Sequence, residues 1–346
     1  MLYFFKGCKM DEKITLSPVS NTLSPVSNTA PTPPQQNNEL EQINANIKAL
    51  ANAHNELVKV IQGLQNNLNL IQHGYFRTTP QPYLGLVEFH LAENCNLNCK
   101  GCAHFSQLAA KELADPAVLE RDFARLSEIS EGLVGKIHLM GGEPLLHPEL
   151  ASIMTSARKH FPNTLIKLVT NGVLLPKMND EFFATAAKNK ILIAATPYPL
   201  EINWDKVNEK IAEFGCDFEW FDGGEPGKKT FRRFALDKEG KQNARLNFMR
   251  CGIANACTLL RDGKLYPCSI IANIHHFNGY FGEKGELEKP MLPSKIDYID
   301  IYKATSYEEI LRFMAHPAPF CRFCKLDEWV ETGTWTTSKR EISEYL

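Results

Sequence analysis

Cys95-Asn96-Leu97-Asn98-Cys99-Lys100-Gly101-Cys102 is a C-x3-C-x2-C run, and it directly follows a short apolar stretch, Gly85 to Leu91, that reads as a β-strand. Three thiolates so closely spaced can hold three irons of a cubane [4Fe–4S] cluster and leave the fourth iron without a protein ligand. An open metal position is where chemistry happens, whereas a fully ligated cluster transfers electrons or holds structure. Asn96, Asn98 and Gly101 suit a tight wrap, because Asn and Gly adopt left-handed backbone at low cost. Zinc is the other reading of the triplet alone. Three Cys at this spacing bind zinc once a fourth ligand is found, and His104 is the candidate nearby.

Two further strands run into polar, glycine-containing turns. Lys136 to Met140 leads into Gly141-Gly142-Glu143-Pro144, and Leu165 to Val169 leads into Thr170-Asn171-Gly172. In α/β barrels the C-terminal ends of the strands are where ligands sit. With the three motifs in this order and in this strand context, the sequence resembles the radical SAM superfamily over about residues 84 to 326.

The resemblance implies that Cys95, Cys99 and Cys102 ligate a [4Fe–4S] cluster whose open iron is chelated by S-adenosylmethionine. One-electron reduction then releases a 5′-deoxyadenosyl radical that abstracts a substrate hydrogen, with a flavodoxin- or ferredoxin-type reductant as electron source. It also implies that Gly141 and Gly142 let backbone carbonyls approach the methionine ammonium, that Glu143 is an anionic or structural anchor, and that Pro144 fixes the turn. Thr170 and Asn171 are the donors for ribose or carboxylate, with Thr196 a further candidate. Many family members carry an aromatic residue just before the third cysteine, packing on adenine; here Gly101 stands there, and Phe105 is the candidate substitute.

The chain has ten Cys, clustered at short spacings, which favours metal ligation in a reducing compartment over a secreted disulfide framework. Cys251 and Cys268 flank Asp262-Gly263, which looks like a two-residue hairpin turn, and Cys321-Arg322-Phe323-Cys324 is a CxxC farther on. This resembles the SPASM/twitch extensions of radical SAM enzymes in their shorter form, implying one auxiliary [4Fe–4S] cluster on Cys251, Cys268, Cys321 and Cys324. Four Cys ligands favour an electron conduit, which suits a net oxidation. A structural zinc is the open alternative. Cys257 is surplus: it replaces Cys251 as ligand, serves as a catalytic thiol, or is a buried small hydrophobe. Cys216 reads as core. A second Gly-Gly-Glu-Pro at 223–226 reads as a turn, His275-His276 as a loop pair, and Trp329 and Trp335 as candidate pocket walls.

Upstream, Thr15 to Asn28 is an exact tandem heptapeptide repeat rich in Ser and Pro, so residues 1–38 are expected to be a disordered linker. Met10 competes with Met1 as the start, and Cys8 lacks the apolar approach of a lipoprotein. Leu40, Ile43, Ile47, Leu50, His54, Leu57, Ile61, Leu64, Leu68 and Ile71 alternate at spacings of three and four. That is a heptad, so residues 39–73 are expected to form a coiled coil that makes a homo-oligomer, with His73-Gly74 stopping the helix. A helix folded back on its own barrel is the other reading.

The net charge of −2 points to no nucleic-acid partner, and no apolar run approaches the ~18 residues of a membrane span. The expected fold is α/β, a partial (β/α)6 TIM-type barrel over residues 84–245. A twitch-like cluster domain follows over 246–328 and a tail over 329–346. The sixth strand is expected at Phe231 to Leu236. The expected function is a cytoplasmic radical SAM oxidoreductase acting on a carbohydrate-like small molecule or glycan precursor. A peptide- or protein-modifying enzyme of the maturase type, and a non-catalytic zinc-binding coiled-coil scaffold, are the alternatives.

Overall fold

A computed structural model describes residues 34–225, 227 and 230–346. The tandem repeat, Cys8, both candidate start methionines and Pro226 lie outside the described residues. The chain divides into two units at His73/Gly74.

The first unit contains most of helix α1 (Pro34–Thr78). Residues 34–38, expected as linker, are already helical, and proline is well suited to a first helical turn because its missing N–H would be unpaired there anyway. The expected stop at His73-Gly74 does not operate. The helix continues to Thr78 and ends ahead of Pro80, whose ring disfavours helical backbone in the residue before it. Leu40, Ile43, Ile47, Leu50, Leu57, Leu64, Leu68 and Ile71 are 40% to 72% exposed, so the apolar seam is uncovered on the single chain.

In the second unit, strands β1 (Val87–Ala92), β2 (Lys136–Gly141), β3 (Leu165–Thr170), β4 (Leu192–Ala195) and β5 (Phe218–Trp220) pair in parallel in chain order. They are joined by α2 (Pro116–Ser130), α3 (Leu150–His160), α4 (Asp180–Lys188) and α5 (Trp204–Phe214). Asp115 caps α2 by accepting from the Ala117 N–H at 2.8 Å, with Pro116 opening the helix; such a cap contributes about 1 kcal/mol. Side chains alternate across the strands. Val87, Phe89, Leu91, Ile137, Leu139 and Leu168 are fully buried and belong to one core with residues of α2–α4 such as Phe123, Ile153 and Phe183. Glu88, His90, His138 and Lys167 therefore lie on the opposite face.

The sixth strand is not where it was expected. Residues Thr230–Arg233 (β6) leave the main sheet, because Arg232 and Arg233 have no place in a buried parallel strand. They pair instead with a strand near the C-terminus in a separate two-stranded sheet. After α6 (Ala244–Arg250), Thr258–Arg261 (β7) takes the vacant place on the other side of β1, parallel to it, with Phe89 opposite Leu260. β8 (Lys264–Tyr266) returns antiparallel through Asp262-Gly263, both at positive φ (50° and 74°), the conformation such a two-residue turn requires. Then come α7 (Ser269–Glu283), β9 (Ile299–Asp300), α8 (Tyr307–Met314) and β10 (Val330–Thr334), the partner of β6.

The main sheet is thus an open eight-stranded one, ordered β5-β4-β3-β2-β1-β7-β8-β9. Past residue 245, strands β7–β9 continue the sheet, and residues 74–346 form one unit. What sets the later region apart is a second core, which includes Phe248, Ile270, Phe277, Phe281 and Phe320.

Candidate metal centres

The three-cysteine loop leaves β1 two residues after Glu93. Its Cys95 sulfur accepts from the Leu97 N–H at 3.3 Å and the Asn171 amide at 3.5 Å. Cys99 Sγ accepts from the Trp335 indole N–H at 3.1 Å and lies 3.5 Å from the Tyr198 hydroxyl. The tail beyond β10 pairs with the loop: Lys100 N–H donates to Thr336 O, and Ser338 N–H to Asn98 O. Gly101, at φ 80°, explains the departure noted at that position. A Cβ there would sit 2.6 Å from the Arg232 carbonyl oxygen of β6, so neither an aromatic nor any other side chain fits.

Gly141 and Gly142 are required by the same close packing. A Cβ on Gly141 would collide with the Ala92 carbonyl oxygen and one on Gly142 with that of Asn94, so the glycines let the second turn lie directly against the entry to the cysteine loop. Glu143 is fully buried and ties the turns together: its carboxylate accepts from the Thr170 hydroxyl (2.6 Å), the Asn171 N–H (2.9 Å) and the Leu145 N–H (3.1 Å). Burial raises its pKa to about 7, against the lowering effect of those three bonds. Pro144 opens the short turn that follows. The Thr170 hydroxyl and Asn171 amide, expected as ligand donors, are engaged within the protein, Asn171 also bonding Asn96 at 2.6 Å. Thr196 is buried just past β4, its N–H on Thr170 O. Phe105 is corrected: its ring is 1% exposed and packs against Phe277 and Tyr345 in the second core, so it presents no face to an adenine.

Cys251, Cys268, Cys321 and Cys324 converge on one small apolar pocket whose other walls include Ile253, Ile270, Phe320 and Trp329. Cys251, and not the half-buried Cys257, shares this pocket with the other three. Asn247 of α6 pins the CxxC turn by donating to the carbonyls of Cys321 (2.9 Å) and Cys324 (2.6 Å). Burial pushes all four thiols up, Cys321 to about 12, so a metal is needed to draw off their protons. Burial likewise raises Cys95 and Cys102.

Among the described residues, Glu93, His275 and His276 bring their ligand atoms within 4.8 Å of one another. The Glu93 trio is not a metal centre, since the Arg261 guanidinium already lies on that carboxylate at 2.7 Å.

Tyr198, Glu93 and Arg261 carried no sequence signal, while Trp329, Trp335 and His276 take places other than those expected. Trp335 and Tyr198 reach Cys99 from remote segments. Glu93 is held by Arg261 of β7 and by His276 (2.7 Å), which lies in helix α7 and not in a loop. Burial alone would raise the Glu93 pKa, but bonds from His276 and His90 and the Arg261 charge hold it well below the usual carboxylate range. Trp329 walls the second cysteine pocket, donating to Ala235 O at 3.0 Å.

Residues 90–221 match the family model described as the radical SAM superfamily. A probable GTP 3′,8-cyclase of Thermoplasma volcanium is 34% identical over 97 residues, 28% of this chain and 28% of that protein. The PqqA peptide cyclase of Gluconobacter oxydans is 34% identical over 118 residues, 34% of this chain and 31% of that one. The chain thus spans about a third or less of the length of these two relatives. Among solved structures, BtrN in complex with AdoMet and 2-DOIA aligns at TM-score 0.43 and 15% identity, covering 71% of this chain and 94% of that one. Native anSMEcpe with bound AdoMet and Cp18Cys peptide aligns at TM-score 0.32 and 21% identity, covering 40% and 42%. The cysteine loop, the Gly-Gly turn and the Thr-Asn-Gly turn at the ends of β1, β2 and β3 all fall inside the matched residues, so residues 90–221 carry a radical SAM domain.

Proposed function

We propose that this chain cleaves S-adenosylmethionine and oxidises or otherwise modifies a carbohydrate-like small molecule or glycan precursor. The observation that carries the first part is the interlocking of three turns at the C-terminal ends of adjacent strands. Asn171 reaches Cys95, Glu143 holds Thr170 and Asn171, and Gly141-Gly142 lies against Ala92 and Asn94. Cys95, Cys99 and Cys102 would hold the [4Fe–4S] cluster, and Cys251, Cys268, Cys321 and Cys324 a second one. When bound, these groups supply reductive cleavage of the sulfonium, a radical that takes hydrogen from substrate, and a place for the substrate's second electron. The protein's own part is to orient the ligands, exclude water and bond the cluster sulfurs.

A peptide substrate is the second reading, supported by the likeness to PqqA peptide cyclase. A flavodoxin- or ferredoxin-type reductant is the expected partner, and the cytoplasm, which keeps thiols reduced, the expected compartment. The exposed heptad of α1 supports a homo-oligomer. Leu57→Asp should then reduce the mass seen by light scattering to that of one chain without changing iron content; an unchanged mass would remove the seam from the interface.

The test of activity uses anaerobically reconstituted protein with S-adenosylmethionine and dithionite, followed by chromatography of 5′-deoxyadenosine. Product from the wild type and none from Cys99→Ala is the expected result. Equal product from both would sink the proposal.

A further inference from the structure

The sheet face away from α2–α5 carries buried polar groups that the cofactor motifs do not use. Glu88, His138 and Lys167 stand side by side on β1, β2 and β3, at one level of the register. His90 lies one layer nearer the cysteine loop. Glu88 Oε2 (3.7 Å from His104 Nε2), His90 Nε2 and both ring nitrogens of His138 are buried without a hydrogen-bond partner. Such groups cost stability, so a cluster of them on one face calls for a ligand to satisfy them.

The donor and acceptor pattern identifies the ligand class. Burial pushes His138 down to about 3, with help from Lys136 and Lys167, and burial does the same to His90. Both rings are therefore neutral near pH 7. A neutral imidazole presents one donor and one acceptor, interchanged by its tautomer, and the Glu88 oxygen offers acceptor lone pairs. A hydroxyl donates and accepts at a single atom and satisfies each of them. Charge excludes the alternatives. Lys136 and Lys167 oppose a cation beside His138, Glu88 and Glu219 oppose an anion, and Lys167 is already paired with Glu219. The ligand atoms of Glu88, His90 and His138 do not converge as one metal ion needs.

An apolar patch completes the surface. Met140, Val169 and Ala194 cluster with Phe221, one layer above the polar row, and the Phe221 ring lies edge-on to His138 at 5.7 Å. A sugar or cyclitol ring has hydroxyl edges and a C–H face, which match the row and the patch.

We infer that Glu88, His90 and His138 read the hydroxyls of a neutral polyhydroxylated ring whose C–H face lies on Phe221. His138 is about 10 Å below Gly141 at the strand rise of 3.3 Å per residue, so hydroxyls held there leave the upper edge of the ring facing the cofactor turns. The inference rests on the radical SAM reading for what happens at that edge, but binding itself needs no reductant.

Equilibrium dialysis of the reconstituted full chain, with S-adenosylmethionine and without dithionite, tests it using myo-inositol, D-glucose and tetraalanine as probes. At least one polyol should bind saturably, tetraalanine should not, and His138→Phe and Glu88→Gln should each weaken polyol binding at least tenfold. His138→Phe should also melt higher than wild type, since it removes two unsatisfied buried nitrogens, so loss of binding is not loss of fold. No saturable polyol binding, binding unchanged in His138→Phe, or preference for tetraalanine overturns the inference. Polyol binding with no 5′-deoxyadenosine formation would instead overturn the activity reading alone.

Discussion

The two cysteine sites are built to opposite specifications. The loop site mixes one buried and two half-buried thiols and rings its sulfurs with polar hydrogens from Leu97, Asn171 and Trp335. The second site buries all four thiols in a mostly apolar pocket, where backbone N–H groups such as that of Ile253 on Cys251 (3.4 Å) and those of Ile270 and Ile271 on Cys268 are the polar contacts. Hydrogen bonds and solvent access raise a cluster's potential, while apolar burial makes added negative charge costly. The difference suits a reactive centre open to a ligand at one place and a sealed electron store at the other.

Separate disruption gives the largest expected effect. Cys99→Ala and Cys321→Ala should each lower iron from roughly eight to roughly four atoms per chain, as expected for two cubanes. Only Cys99→Ala should take 5′-deoxyadenosine to background, whereas Cys321→Ala should retain it and lose turnover of substrate. If both variants lose S-adenosylmethionine cleavage, the division of labour is wrong.

Acid should attack the polar side first. Between pH 6.5 and 3 an unfolded His138 binds a proton that the folded, buried ring does not. Its contribution is complete above the unfolded pKa and is lost as pH falls, by about 2 kcal/mol at pH 5. Glu143 runs the other way: its raised folded pKa, about 7, gives stability at low pH that is lost as pH rises through 7. Comparing urea unfolding of wild type with His138→Phe at pH 7.5 and 5 isolates the histidine. The gap between them should widen by about 2 kcal/mol at the lower pH; a constant gap would mean that His138 is protonated or solvated in the folded chain.

How far the sequence foretold this depends on whether the signal was local. α4 and α5 are set by local signals, because cap residues Asn179 and Asn203 and a periodic apolar face define them within a few turns. The cysteine loop and its two companion turns were legible for the same reason. β6 was misplaced because its partner, β10, lies about a hundred residues on, and nothing in Thr-Phe-Arg-Arg names that partner. Phe105 was assigned to a ligand although its neighbours Phe277 and Tyr345 bury it, a fact of tertiary packing alone. Arg261 on Glu93 is likewise a long-range contact, and the alternation that placed Glu88 and His138 on one face mattered only once the strand register was known.

Trp335 gives the smallest effect and the finest test of the contrast. Its indole N–H donates to Cys99 Sγ, and the adjoining tail is hydrogen-bonded to Asn98 and Lys100. A donor to a ligating sulfur stabilises the reduced, more negative cluster over the oxidised one, so removing it lowers the potential. Trp335→Phe keeps the ring that packs on Tyr198 at 5.8 Å and deletes the N–H. The cost should be about 1 kcal/mol, or a few tens of millivolts for one electron. EPR-monitored redox titration of the variant should show the loop cluster shifted to lower potential and the second cluster unmoved, because Trp335 does not line the second pocket. An equal shift of both, or of neither, would mean that the tail does not lie against the cysteine loop in solution, and the polar shell that distinguishes the two sites would then lose its strongest donor.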